Sequence, residues 1–207
     1  MDQIVLNLIM IAIFLGVAFP VHEFAHAWVA YLRGDATAKM FGRLTLNPVV
    51  HFDMFGGLMT IISIFIGGFL FGWAKPTPVN RSNLKNRQND EVLVALAGPA
   101  SNLLMAVIGA IVFRILDATV GVSGLPATIL YLFVVFNVML AIFNMIPVPP
   151  LDGGTLLFRF LSPRQAWQVR PFLSQYGMFV VIAIVLIGGR FLSGVINGVA
   201  LFLLGLS

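Results

Sequence analysis

A chain of 207 residues that is 59% hydrophobic and only 10% charged cannot cover its surface with water-friendly groups, since soluble domains carry about 25% charged residues. These values exclude an ordinary soluble enzyme and identify an integral membrane protein. The net charge of +4 then reflects Lys and Arg gathered in loops and gives no reason to expect a nucleic-acid partner. Cysteine is absent, so there is no disulfide framework, and any metal must be held by imidazole and carboxylate.

The first apolar run, residues 4–32, is interrupted only by Asn7, Pro20 and the group His22, Glu23 and His26. As a helix it measures roughly 43 Å, longer than one bilayer core. His22 and His26 therefore fall in its second half, near one membrane face. Pro20 is expected to kink the helix just ahead of them and to leave the Gly16 carbonyl without its usual partner. Asp2 stands where a secretory signal would be basic, and the run is too long for a signal core, so no cleavable signal is expected. His51 and Asp53 fall in an expected loop. "GGLMTIISIFIGGFLFG" (56–72) is about the minimum length for a span. The longest polar stretch, "NRSNLKNRQNDE" (80–91), reads as a loop. Residues 92–116 form a full span carrying "AGPASN", and 127–146 form another that runs into "PVPPLDGG". After an Arg-bearing segment, the last apolar stretches read as one helix broken at Gly188–Gly189 or as two short helices.

Loop charge bears on segment 56–72. Arg33, Lys39 and Arg43 precede it, and Lys75, Arg81, Lys85 and Arg87 follow it. If the segment spanned, both membrane faces would carry a basic loop. If it dips in and returns, all seven charges share one side. The loop at 118–127 then has no Lys or Arg, and Arg159, Arg164 and Arg170 return to the first side, as the positive-inside rule asks. The expected fold is an all-α polytopic membrane protein. It has a three-helix catalytic core, a re-entrant or hairpin segment, and one or two C-terminal helices. A single domain covers 1–207, with the core at about 4–160 and C-terminal membrane segments at about 176–206.

"HEFAH" (22–26) places two histidines four residues apart, on one helix face and one turn apart. Both imidazoles can then reach one Zn²⁺, while Glu23 can reach a water bound to the metal. The bland alternative is a pair of core histidines bonded to carbonyls, with Glu23 paired to an arginine. A charged group at the centre of a membrane helix costs at least ~2.5–3.5 kcal/mol, so three such groups in this order call for a use.

A catalytic zinc usually keeps three protein ligands and one open position. Asp152, in "NMIPVPPLDGG" (144–154), is the only acidic residue abutting a late transmembrane run. Pro147, Pro149 and Pro150 forbid a regular helix there, and irregular backbone at membrane depth is tolerated only against protein or a watery cavity. Gly153 and Gly154 are expected to let the chain turn tightly behind the carboxylate. For His26 and Asp152 to share a membrane side, the chain must cross an even number of times between them. Spans 92–116 and 127–146 supply two, provided 56–72 does not cross.

With "HEFAH", "AGPASN" (97–102) and "NMIPVPPLDG" (144–153) in this order, the sequence resembles the site-2 protease family of intramembrane zinc metalloproteases. The last stretch fits that family's N-x-x-P-x-x-P-x-D-G pattern at every position. "FGRLTLNPVVHFD" and "FGWAKPTPVN" resemble its compact members, which lack PDZ or CBS regulatory domains. The resemblance implies one Zn²⁺ per chain held by His22, His26 and Asp152, with Glu23 as acid/base. It also implies a three-helix core and a transmembrane protein as substrate.

An oxyanion needs a neutral donor beside the metal, for which Asn144 and Asn102 are candidates. Their alternative is interhelical hydrogen bonding. Gly98 and Pro99 read as structural. His51 is open between a fourth ligand in a closed state, a substrate-binding group and a locally bonded loop residue. Segments 56–72 and 73–79 either offer a strand edge to an unwound substrate or plug a lipid-facing gap. A rival class, a zinc transporter or zinc-binding scaffold, also uses intramembrane His and acid residues. Against it, the polar groups gather at one level, and no inverted repeat is present. The short chain leads us to expect the plasma membrane of a prokaryote, with the site toward the cytoplasm.

Overall fold

The computed structural model describes residues 2–66 and 75–206. Among the described residues, four helices are long and apolar enough to cross a membrane: α1 (Gln3–Leu32), α5 (Arg87–Val120), α6 (Gly124–Asn144) and α8 (Pro163–Leu204). Between them lie the short helices α2 (Thr37–Met40), α3 (Pro48–His51), α4 (Met54–Ile66) and α7 (Asp152–Phe160), and a 3₁₀ turn at Arg81–Asn83. No strand occurs among the described residues.

Polar side chains cap the starts of α1, α5 and α8. Asp2 accepts from the Ile4 amide, Asn86 from the Asn89 amide, and Ser162 and Gln165 form a reciprocal capping box. Gly121 and Gly205 close α5 and α8 in the left-handed region, at φ 64° and 74°. The Asn86 cap starts α5 inside the stretch read as a loop, so only 80–86 lies outside it.

Pro20 acts through the turn before it. Residues Phe14–Ala18 form a π turn, in which the Phe19 amide reaches back to Phe14 O. The proline ring excludes a regular bond to the carbonyl four residues earlier, and a widened turn inserts one extra residue at that point. This re-aims the half of α1 that carries the histidines.

α1, α5 and α6 pack against one another. Ile13, Phe14 and Ala18 of α1 meet Phe136 and Leu140 of α6. Further along, Ala106, Ala110 and Phe113 of α5 meet Val134 and Val138 of α6 and Ile196, Ala200 and Leu204 of α8. Leu104, Ile108 and Ile111 of α5 and Phe179, Ile187 and Phe191 of α8 stay exposed, the outward apolar face that lipid requires.

Three expectations are corrected. α8 runs unbroken through Gly188–Gly189, and the Arg-bearing segment before it is part of the same 42-residue helix. Glycine loses its helix-breaking effect where no water competes for the backbone. His51 ends the four-residue helix α3 rather than lying in a loop. Residues 56–66 are helical, which removes them as a strand edge, and α4, with 13 residues, is about 20 Å long. That is short of a bilayer core; residues 67–72 of the same segment lie outside the described ones.

Candidate metal centre

The second half of α1 buries His22, Glu23 and His26 against the first half of α5. Gly98 makes this approach possible, because a Cβ there would lie 2.6 Å from His22 Nε2 and closer still to His26 Nε2. Each imidazole is tied by its other nitrogen. His22 Nδ1 lies 2.6 Å from Asn102 Oδ1, and His26 Nδ1 lies 2.7 Å from Val94 O.

The Asn102 amide is oriented by its own donors, which reach Ala18 O at 3.0 Å and Asn137 Oδ1 at 2.9 Å. Asn137 in turn donates to Phe133 O at 2.8 Å. Both Nδ1 atoms therefore face acceptors and must carry the proton. Both Nε2 lone pairs are left free, which is the tautomer a metal ligand needs.

Asp152 arrives from the other side as the first residue of α7. The preceding turn, 145–151, is held by short-range bonds such as Leu151 N to Val148 O at 3.0 Å, and Val148 is pinned against Leu173 and Val181 of α8. Gly153 and Gly154 lie inside the first turn of α7 and have no positive φ. Their service is close approach instead: a Cβ on Gly154 would meet Pro149 N at 2.6 Å, and one on Gly153 would strike the Met145 and Ile146 carbonyls. Gly177 of α8 abuts Pro149 O in the same way.

The result is a convergence of three ligand atoms. Asp152 Oδ2 is 3.2 Å from His22 Nε2 and 3.3 Å from His26 Nε2, and the two Nε2 atoms are 3.0 Å apart. Asp152 Oδ2 is buried and accepts no hydrogen bond among the described residues. With both Nδ1 atoms protonated, three lone pairs point at one spot, which is repulsive unless a cation sits among them. Two ligands of a tetrahedral zinc at 2.0–2.1 Å are about 3.3 Å apart, close to the spacing here. The donor set, two neutral imidazoles and a carboxylate, suits zinc. His22, His26 and Asp152 therefore fit the metal.

Glu23 stands beside this trio and makes no ion pair among the described residues, so it is not an arginine's partner. Thr77 binds it twice: the Thr77 amide donates to Glu23 Oε2 at 2.9 Å, and Thr77 Oγ1 donates to the Glu23 carbonyl at 3.1 Å. The segment around Thr77 is tied at both ends. Lys75 N donates to His51 O at 3.1 Å, and Asn80 N donates to Asp35 Oδ2 at 2.7 Å. Asp35, just past the end of α1, is fully buried and also accepts from Thr37 and from Asn83 Nδ2. Burial alone would raise its carboxyl, but bonds from Thr37, Asn83 and Asn80 outweigh this and hold it below the usual carboxylate range.

These bonds leave 75–78 no free amide hydrogen to offer an unwound substrate, since Pro76 and Pro78 have none and those of Lys75 and Thr77 are committed; residues 73–74 of the 73–79 stretch lie outside the described ones.

The remaining candidates separate. Asn102 touches His22 and not the reacting space, because both its amide hydrogens are committed, which removes it as an oxyanion donor. Asn144 donates once, to Leu140 O at 3.0 Å, and its second amide hydrogen makes no bond among the described residues. His51 lies outside the trio of possible ligands. Its Nε2 donates to Thr45 O at 2.7 Å, while its buried Nδ1 has no hydrogen-bond partner among the described residues. Sequence reasoning missed Asn137 and Thr77. Asn137 carries no spacing signal, being one asparagine in an apolar helix. Thr77 carried one, since the "PTP" tripeptide holds a single amide hydrogen.

Helices long and apolar enough to cross a membrane thus surround a buried His–His–Asp convergence that could hold a metal, with a glutamate beside it. The profile of peptidase family M50, the site-2 protease family, matches residues 10–122 and 111–188; the chain belongs to this family of zinc metalloproteases. It is 42% identical over 159 residues to "Putative zinc metalloprotease YwhC" of Bacillus subtilis, covering 74% of this chain and 69% of that one. It is 28% identical over 171 residues to "Putative zinc metalloprotease Rip2" of Mycolicibacterium smegmatis, covering 80% of this chain and 62% of that one. Over 77 residues it is 32% identical to "Zinc metalloprotease MJ0392" of Methanocaldococcus jannaschii, covering 37% of this chain and 22% of that one. No solved structure matches.

Proposed function

We propose that this chain is an intramembrane zinc metalloprotease that hydrolyses peptide bonds in or near the transmembrane segments of membrane-protein substrates. The convergence of His22 Nε2, His26 Nε2 and Asp152 Oδ2 within the helix bundle carries this reading. These three residues hold one zinc per chain. When bound, the metal supplies Lewis acidity, polarising a carbonyl and lowering the pKa of water toward ~7.

Glu23 performs the proton transfers. It takes a proton from the attacking water as the new C–O bond forms, and gives it to the departing amine as the C–N bond breaks. The second amide hydrogen of Asn144 is the donor for the oxyanion. Asn102 holds the His22 ring from behind, fixing its tautomer and aim.

The catalytic core is the three-helix set α1, α5 and α6, within a single domain over 1–207. Helix α4, at 13 residues, is too short to cross the bilayer core and does not span it, which puts the basic loops and the site on one side. Basic loops belong on the cytoplasmic face of a prokaryotic plasma membrane, and Leu173 and Val181 of α8 brace the turn before Asp152 through Val148.

The test is cleavage in liposomes. Wild type and Glu23→Gln, both zinc-loaded, are incubated with a panel of single-span substrates. Cleavage by wild type alone, with product termini inside or beside the span, is expected. Equal cleavage by Glu23→Gln, or none by wild type against any substrate, contradicts the reading.

A further inference from the structure

The segment from Lys75 to Asn80 is stitched at two places, to Glu23 within α1 and to Asp35 just past its end. Its sequence, Lys-Pro-Thr-Pro-Val-Asn, narrows what it can do. Pro76 and Pro78 donate no hydrogen bond. The residue before a proline is confined to extended backbone, so Pro78 restrains Thr77. A stiff strap with one amide hydrogen between two prolines delivers that hydrogen to Glu23 Oε2 at 2.9 Å. The Thr77 hydroxyl anchors to the backbone of the same residue at 3.1 Å, so the strap registers on the residue it serves.

Resting on the protease reading above, we propose that this strap is a positioning device for the general base, with Thr77 as its positioning residue. A glutamate has three side-chain torsions, and a base that must meet both an attacking water and a leaving amine cannot wander among rotamers. The Thr77 amide occupies Oε2 and leaves Oε1 as the proton-accepting oxygen. Lys75 N on His51 O and Asn80 N on Asp35 keep the strap taut from either end. His51 and Asp35 therefore support the base indirectly, without touching the metal ligands.

The experiment uses full-length, zinc-loaded wild type, Thr77→Ser, Thr77→Val and Thr77→Pro in liposomes. Three quantities are read: zinc content, kcat and KM on a single-span substrate, and labelling of Glu23 by a hydrophobic carbodiimide, quantified by mass spectrometry with Glu91 as internal reference. Thr77→Pro is expected to keep its zinc and KM, lose kcat by at least about tenfold, as loss of a hydrogen bond to a charged group does, and raise Glu23 labelling. Thr77→Val, which keeps the amide, is expected to lose about threefold in kcat, the scale of a single neutral hydrogen bond. Thr77→Ser is expected to match wild type.

A zinc-loaded Thr77→Pro with kcat within twofold of wild type, or above it, overturns the proposal. If Thr77→Pro loses zinc, Thr77→Val decides, and kcat and labelling both unchanged there overturn it. If wild type cleaves nothing, the protease reading fails by itself. Labelling still judges the strap: a rise in Thr77→Pro supports its hold on Glu23, and equal labelling refutes it.

Discussion

The pair α5 and α6 is built in two ways along its length. Near the site, the helices join through Asn102 and Asn137, fully buried and hydrogen-bonded at 2.9 Å. Toward the other end they join through Ala106, Ala110, Phe113 and Val134, with Gly109 against the Phe133 ring and α8 packed over both. In lipid, apolar side chains gain little by leaving their surroundings, so the second end holds by close packing of small residues. The first end adds a polar chain that runs from Phe133 O through Asn137 and Asn102 to His22. The contrast teaches that one end keeps the helices together and the other aims an imidazole.

The comparison can be broken most directly with a methyl group at each end. Gly98→Ala puts a Cβ against both ring nitrogens, whose rings are pinned through Nδ1. We expect zinc content and turnover to fall below detection. Gly109→Ala meets the edge of the Phe133 ring at 2.7 Å and the buried Val134 Cγ2 at 3.2 Å, and no ligand atom. There a lowered Tm with zinc and kcat within about twofold of wild type is expected, since overpacking costs about 1–3 kcal/mol of stability and no chemistry.

Next in size is Asn102→Leu. It removes the acceptor of His22 Nδ1–H and leaves Asn137 Oδ1 without its donor. Zinc affinity should drop about 10–100-fold, the usual effect of losing a ligand's outer partner, measured by competition with a chelator. Asn137→Leu, one bond further away, should lose less. Equal losses would mean that the asparagines act as one rigid unit.

Phe113→Ala at the apolar end should lower Tm by opening a cavity, while zinc affinity stays within about twofold of wild type, there being no ligand partner to lose. A large loss of zinc there would erase the distinction between the two ends.

The smallest effect concerns Asp35 and acid. Its carboxyl titrates below its ordinary value in the folded protein. Its stabilisation is therefore complete above the unfolded value of about 3.9 and is lost as pH falls through the lower folded value. Thermal unfolding of Asp35→Asn should show a deficit against wild type at pH 7 that shrinks below about pH 4.

Much of this was legible in the sequence, for physical reasons that can be named. "HEFAH" is readable because helix geometry turns a spacing of four into one face, and Asp152 because a carboxylate among prolines after an apolar run has few other uses. The even number of crossings expected between the two depends on segment 56–72 not crossing, which is read from the charge of the loops around it. Asn137 was hidden because a polar residue in an apolar helix names no partner until tertiary packing supplies Asn102. Gly188–Gly189 misled because a breaker in water is tolerated in a lipid-embedded helix such as α8. Pro20 announced a disturbance, but the sequence pattern does not distinguish a kink from the π turn over Phe14–Ala18 that absorbs it.

The most direct test of the central claim is the zinc content of purified Asp152→Ala beside wild type and Glu23→Gln. The account predicts about one zinc per chain in wild type and Glu23→Gln, and a clear deficit in Asp152→Ala, because three ligands define the site. Full zinc in Asp152→Ala would show that the carboxylate beside His22 and His26 is not a ligand, and the His–His–Asp centre would fall with it.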